Sequence, residues 1–187
     1  MIRILVAFST TFGTTEKFAR AVAEGAGMVE GTRVILKPAA EVTTEDLLEA
    51  DAHIFGTPIH MGSIDWQIKK LIDTVAAWLW GPNRLVGKVG AVFTSSSGIG
   101  NAGSGAELAM VALLAHFAEQ GMILVPLPKN TPGYFTNGLH WGPTAITGEH
   151  EGKPIGVPDE QLVVARHHGM NVARVAAAVA GKQLLNP

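Results

Sequence analysis

The chain has 187 residues, 47% of them hydrophobic, enough for one ordinary core and little more. Its 14 basic residues against 16 acidic ones give a net charge of -2, with no basic stripe for nucleic acid or a membrane surface. There is no cysteine, which excludes disulfides, thiolate nucleophiles and cysteine-ligated zinc or iron–sulfur clusters, so any redox chemistry requires a borrowed cofactor. Met1 to Val6 enters an apolar strand without a signal-peptide pattern, and no run of about 18 apolar residues follows, so a soluble cytoplasmic protein is expected.

In chain order, Ile2 to Phe8 is a short apolar run ending in a Ser/Thr/Gly cluster, and Phe18, Val22, Ala26 and Val29 then recur at helical spacing. Arg33 to Lys37 reads as a second strand, and Thr43-Thr44-Glu45-Asp46 as the start of a short helix to Ala50, with hydroxyls to cap and carboxylates in the first turn. Ala52 to Thr57 is a third strand; Ile68, Leu71, Ile72, Val75 and Leu79 form the next apolar helix face. Lys88 to Thr94 is a fourth strand, and the helix after it carries Leu108, Val111, Ala115 and Ala118. Met122 to Leu127 is a fifth strand, and the last helix runs from about Asp159 to Gly181.

Strands alternating with helices predict a doubly wound α/β fold, a parallel sheet covered on both faces. The whole chain, 1–187, reads as one domain, with a Gly-, Pro- and His-rich insertion at about 128–158, after or within the fifth strand. In such sheets ligands bind beyond the carboxyl ends of the strands, and the loops after the first, third and fourth strands are the ones rich in Ser, Thr and Gly.

The first loop, Ser9-Thr10-Thr11-Phe12-Gly13-Thr14-Thr15, delivers the chain into a helix N-terminus, where free N–H groups and the helix dipole suit a phosphate. Simple capping of the helix by the same hydroxyls is the alternative. The pattern G-x-x-x-x-G-K-[ST] is absent, which argues against nucleotide triphosphate hydrolysis. Gly98-Ile99-Gly100-Asn101-Ala102-Gly103 fits G-x-G-x-x-G, but it follows the fourth strand, and the next strand ends Pro126-Leu127-Pro128-Lys129 with no carboxylate to hold a ribose. It is therefore not a dinucleotide clamp. His116, His167 and His168 lack a second ligand at metal spacing, and no metal site is expected.

The motif T-x-F-G-x-T at Thr10 to Thr15 resembles the FMN phosphate loop of the flavodoxin-like superfamily. Gly56-Thr57-Pro58-Ile59-His60-Met61-Gly62-Ser63 is similar to the G-T-P-x-x-x-G segment of WrbA-type NAD(P)H:quinone oxidoreductases. The resemblance extends through Trp80, Gly87-Lys88, Gly121 to Pro126, Trp141-Gly142, Thr144 to Gly148 and Glu160 to Arg166. It implies the five-stranded flavodoxin-like fold with sheet order 2-1-3-4-5. It also implies an FMN pocket formed by Ser9 to Thr15, Pro58 to Ser63, Trp80, and Ser95, Ser96, Ser97, Gly98, Ile99, Gly100 and Asn101. Quinone reduction by NADH or NADPH, through two-step hydride transfer at the flavin N5, is the implied activity, and a dimer or tetramer the implied assembly.

His60 is a candidate for contact with flavin, nicotinamide or quinone, against a solvated loop histidine. Gln120 stands where the family carries a histidine near the substrate face, and glutamine donates a hydrogen bond but no proton at neutral pH. Trp141 corresponds to an aromatic residue that reaches a neighbouring subunit's flavin pocket, and Trp80 is either a pocket-edge or a core tryptophan. The segment between Pro38 and Asp51 is shorter than in the family, and the fourth-strand loop one residue longer. A one-electron carrier is the competing activity, weakened by the small net charge, and a non-catalytic FMN module is a third.

Overall fold

The computed structural model describes residues 1–98 and 104–185. The elements are β1 (Ile2–Phe8), α1 (Thr14–Gly27), β2 (Thr32–Pro38), α2 (Thr44–Glu49), β3 (Ala52–His60), β4 (Ser63–Ile64) and α3 (Trp66–Leu71). They continue with β5 (Val89–Ser96), α4 (Ala106–Glu119), β6 (Ile123–Leu124), α5 (Tyr134–Asn137), β7 (Gly138–Leu139), β8 (Gly142–Ile146), β9 (Glu149–His150), β10 (Lys153–Pro154) and α6 (Leu162–Val179). The central sheet runs β2-β1-β3-β5-β8-β7, with β6 also paired to β5, and all pairs from β2 to β8 are parallel. This is the expected order 2-1-3-4-5, with the fifth strand in two pieces.

The split has a simple cause. β6 pairs with the start of β5 at Val89 and Gly90, and Val125 N–H still bonds Gly90 O at 3.0 Å. Pro126 and Pro128 then offer no N–H and turn the chain out of the sheet. Met122 to Leu127 is therefore not one continuous strand; the ladder resumes at β8, opposite Thr94 to Ser96. The insertion thus begins within the fifth strand, and a second excursion after β8 carries the β9–β10 hairpin.

Side chains alternate across the sheet, as the two-residue strand period requires. Ile4, Val6, Phe8, Ile54 and Phe93 face α1 and α6, whereas Leu5, Ala7, Phe55 and Val92 face α2, α3 and α4. On the first face α1 and α6 touch backbone to backbone: a Cβ on Gly25 would fall 1.9 Å from Arg166 O, and one on Gly169 2.0 Å from Val22 O. On the second face α4 turns a different side to the core than the spacing of Leu108, Val111, Ala115 and Ala118 suggests. Those four are exposed, Leu108 by 73%, while Ala109, Met110, Leu113, Leu114 and Phe117 are buried. A helix apolar all round has no unique stripe, so periodicity alone cannot select its inner face.

Histidines are a second departure. His168 lies on the buried stripe of α6 with Val164 and Val172 rather than on a polar face. Burial pushes His53 down to about 3, and His116 and His168 to about 4, from an ordinary 6.5. His53 stays neutral and donates from Nε2 to Leu47 O at 2.9 Å; His116 stacks on Phe55.

Well above pH 6.5 these three rings are neutral in folded and unfolded chains alike and add no pH dependence to stability. Below it the unfolded chain binds protons that the folded chain refuses, so stability falls as pH drops toward 4, by about 1.4 kcal/mol per pH unit for each ring. Urea unfolding between pH 7 and pH 4 measures the slope, and His168→Gln makes it shallower. Gly169→Ala forces α6 off α1 and lowers stability by about 3 kcal/mol, read from the same urea midpoints.

Candidate functional site

The carboxyl ends of β1, β3 and β5 deliver three segments to one cleft. Its volume is about 180 Å³, and its lining includes Phe12, Thr14, Pro58, Ile59, His60, Ser95, Ser96 and Ser97, with Thr147, Glu149, Gly152 and Pro154 on the far wall. Two contacts lock the segments together. Thr15 Oγ1 and Ser95 Oγ, both fully buried, form a hydrogen bond of 2.8 Å, and Ser9 N–H bonds Gly56 O at 3.1 Å.

The first segment is not a capped helix start. Its N-cap is Gly13, at φ 80°, a left-handed conformation suited to glycine, and no side chain caps the first turn. Thr10 Oγ1 instead accepts from Gly13 N–H at 2.9 Å, which rounds the loop. Ser9 is only 2% exposed, and its Oγ has no protein partner among the described residues. The uncapped first turn of α1, which borders the cleft at Thr14, and the Ser9 hydroxyl, which lies with Thr10 at a neighbouring depression, supply donor types that suit an anionic group. The Thr15 hydroxyl is engaged with Ser95 Oγ, so Thr15 has only its backbone N–H to offer there; Thr10, Thr11, Phe12 and Thr14 are at least partly exposed.

The second segment is a hairpin rather than a loop. β3 continues to His60, and Ile59 and His60 pair with Ile64 and Ser63 of β4. The two central residues, Met61 at φ 50° and Gly62 at φ 77°, both adopt positive φ, as a type I′ turn demands. Met61 stands fully exposed at the tip. Gly105 backs onto this turn so closely that a Cβ there would lie 2.5 Å from Gly62 O.

Below the hairpin sits a residue the sequence reading did not single out. Asp65, 2% exposed, is the N-cap of α3: its Oδ2 accepts from Gln67 N–H at 3.2 Å, and its own N–H bonds Thr57 Oγ1 at 2.9 Å. Its other oxygen, Oδ1, lies 3.2 Å from His60 Nδ1. A carboxylate only accepts, so the ring carries its proton on Nδ1 in this contact. An acidic cap directly ahead of a helix was the available signal.

The third segment is described at Ser95, Ser96, Ser97 and Gly98; Ile99, Gly100 and Asn101 lie outside the described residues. Ser96 O accepts from Thr147 N–H at 2.9 Å, which ties the far wall to β5. The side-chain amide of Gln161 brackets Ile146, accepting its N–H at 2.8 Å and donating to its O at 2.9 Å, so that it serves β8 as a substitute strand.

Three further candidates are not brought to the cleft. A helical run of about 20 Å from Trp66 to Leu79 carries Trp80 toward the amino edge of the sheet, where it is 56% exposed. Gln120, at the end of α4, is buried there and donates from Nε2 to Ala76 O at 3.0 Å. Trp141, 43% exposed, occupies the β7–β8 turn at the sheet edge. Among the described residues no group of three or more His, Asp or Glu side chains is arranged to hold a metal, and no helix is long and apolar enough to cross a membrane.

Residues 22–130 match the family model of NADPH-dependent FMN reductases. A flavodoxin of Aquifex aeolicus is 35% identical over 99% of this chain and 93% of its own length. An NAD(P)H dehydrogenase (quinone) of Geotalea uraniireducens is 31% identical over 96% of this chain and the whole of its own. The crystal structure of a WrbA-like flavodoxin from Agrobacterium tumefaciens, 27% identical, superposes with a TM-score of 0.71 over 96% of this chain and 99% of that one. With its sheet order, its three-segment cleft and these likenesses, the chain belongs to the NADPH-dependent FMN reductase family of the flavodoxin-like superfamily.

Proposed function

We propose that this chain is an oxidoreductase that binds FMN in the cleft and reduces quinones at the expense of NAD(P)H. The observation that carries the reading is the unfinished polar chemistry of the first segment, an uncapped α1 with the buried Ser9 hydroxyl beside it. The fit is one of donor type: a phosphomonoester takes the N–H groups of the first helical turn and the hydroxyls of Ser9, Thr10 and Thr14, with no lysine required. The β3–β4 hairpin and Ser95 to Ser97 then border the flat ring system, and Thr147, Glu149, Gly152 and Pro154 close the opposite side.

Bound FMN supplies a two-electron carrier between the nicotinamide and the quinone. The protein's residues position these partners. Phe12 offers an exposed aromatic face at the cleft, Pro58 stiffens the entry to the hairpin, and His60 presents an imidazole to the same space. Trp80, Trp141, Leu108 and Val111 are exposed apolar side chains, and in this reading a second copy of the chain covers them.

A one-electron carrier is the alternative, favoured by the flavodoxin from Aquifex aeolicus among the relatives. The net charge of -2 weighs against it, since carriers use strong charge to steer their encounters. Stopped-flow mixing of the FMN-loaded protein with NADH or NADPH decides: rapid bleaching of the flavin, restored by benzoquinone, is expected. Reduction only by an external reductase is the carrier's result. Ser9→Ala separates seat from scaffold. It weakens FMN affinity about tenfold by fluorescence titration, while the cofactor-free protein keeps or gains stability because an unsatisfied buried hydroxyl is gone.

A further inference from the structure

Quinone reduction needs more than a hydride. In the balanced reaction, NAD(P)H, a quinone and one proton give NAD(P)+ and a hydroquinone. The hydride brings two electrons and one hydrogen; the second hydrogen arrives as a bare proton on a quinone oxygen. Water supplies it slowly in a closed cleft, and a positioned side chain supplies it faster.

We propose that His60 delivers that proton and that Asp65 is the positioning residue that aims it, an inference that rests on the flavin and quinone reading of the cleft. Nδ1 of His60 faces Asp65 Oδ1 at 3.2 Å, and the ring lines the cleft, with Nε2 left without a protein partner among the described residues. Asp65 cannot swing away to follow solvent. It is buried, its second oxygen holds Gln67 N–H, and its backbone is pinned by Thr57 Oγ1. The type I′ turn holds the other side of the ring, because pairing of His60 with Ser63 fixes the backbone from which the imidazole projects.

The pair works by holding one tautomer. With Nδ1–H committed to the carboxylate, the neutral ring carries its lone pair on Nε2, toward the cleft, and the protonated ring carries its transferable proton there. During reduction the Nε2–H bond breaks and a quinone O–H bond forms. The ring then recovers a proton from water, and Asp65 remains a carboxylate throughout. Among the described residues, the ionisable groups at this part of the cleft are Asp65, from the start of α3, which contacts His60, and Glu149, from β9, which lines the opposite wall. Glu149 shapes the approach of protons from solvent but makes no hydrogen bond to the ring.

The test joins a spectroscopic readout to a kinetic one. Long-range ¹H–¹⁵N NMR on the full-length protein, with and without FMN, is expected to find neutral His60 as the Nδ1–H form. Asp65→Ser, which keeps a hydroxyl cap for α3, moves it to the Nε2–H form. In the FMN-loaded protein His60→Gln lowers turnover with benzoquinone about 100-fold and removes the decline of rate with rising pH. Asp65→Ser lowers turnover by a smaller factor with the decline displaced. The proposal is overturned if wild-type His60 is already the Nε2–H form, if Asp65→Ser leaves the tautomer alone, or if His60→Gln keeps the wild-type rate and pH profile. His60 is partly exposed, so its replacement tests the idea even where Asp65→Ser fails to fold. Failure to bind FMN at all overturns the underlying reading, and fluorescence titration reports that separately from the NMR result.

Discussion

A buried hydrogen bond between Thr15 Oγ1 and Ser95 Oγ ties the first segment of the cleft to the third, across strand ends that the parallel pairing of β1, β3 and β5 already sets side by side. The two residues are 80 positions apart in the chain, Thr15 in the first turn of α1 and Ser95 near the carboxyl end of β5. Because neither hydroxyl meets water, breaking the pair leaves a buried polar group unsatisfied, an outcome the fold resists by about 1 to 3 kcal/mol. Around that tie the Ser9 to Gly56 backbone bond and the Gly105 to Gly62 contact draw the remaining segments together. The α1–α6 contact at Gly25 and Gly169 serves the same end from below, since it fixes the axis of the helix whose first turn borders the cleft.

The insertion depends on a different economy. β8 is a sheet edge along its final residues, and an exposed edge invites unwanted pairing. Gln161 meets that demand with one side-chain amide, while Asn137 donates to Thr144 O and Gln161 O from the other end. Two amides thus replace a strand, and the chain beyond Ile146 is released to build the far wall of the cleft.

How much of this was legible follows from what each feature rests on. The first four strands are continuous apolar runs, the α2 cap is written as Thr43 and Asp46, and the polar loops fall at strand ends; these are local signals, and they matched the structure, whereas the fifth strand is split by Pro126 and Pro128. The β3–β4 and β9–β10 hairpins were missed because their turns place Met61 and Glu151, rather than asparagine or glycine, ahead of Gly62 and Gly152 at positive φ. The inner face of α4 was illegible because the helix is apolar all round. His168 looked polar by type, although its spacing from Val164 and Val172 put it inside. Asp65 needed three dimensions, since its partner His60 reaches it only after the chain has doubled back.

The bare start of α1 has a consequence for what counts as the complete protein. A helix whose first turn is capped by no side chain among the described residues leaves N–H groups that a bound guest can satisfy. Cofactor concentration is then a coordinate of folding as much as temperature is, adding about 2.7 kcal/mol when free ligand stands at 100 times its dissociation constant. Scarcity of flavin then withdraws a share of the fold's stability from the same polypeptide, together with its redox chemistry.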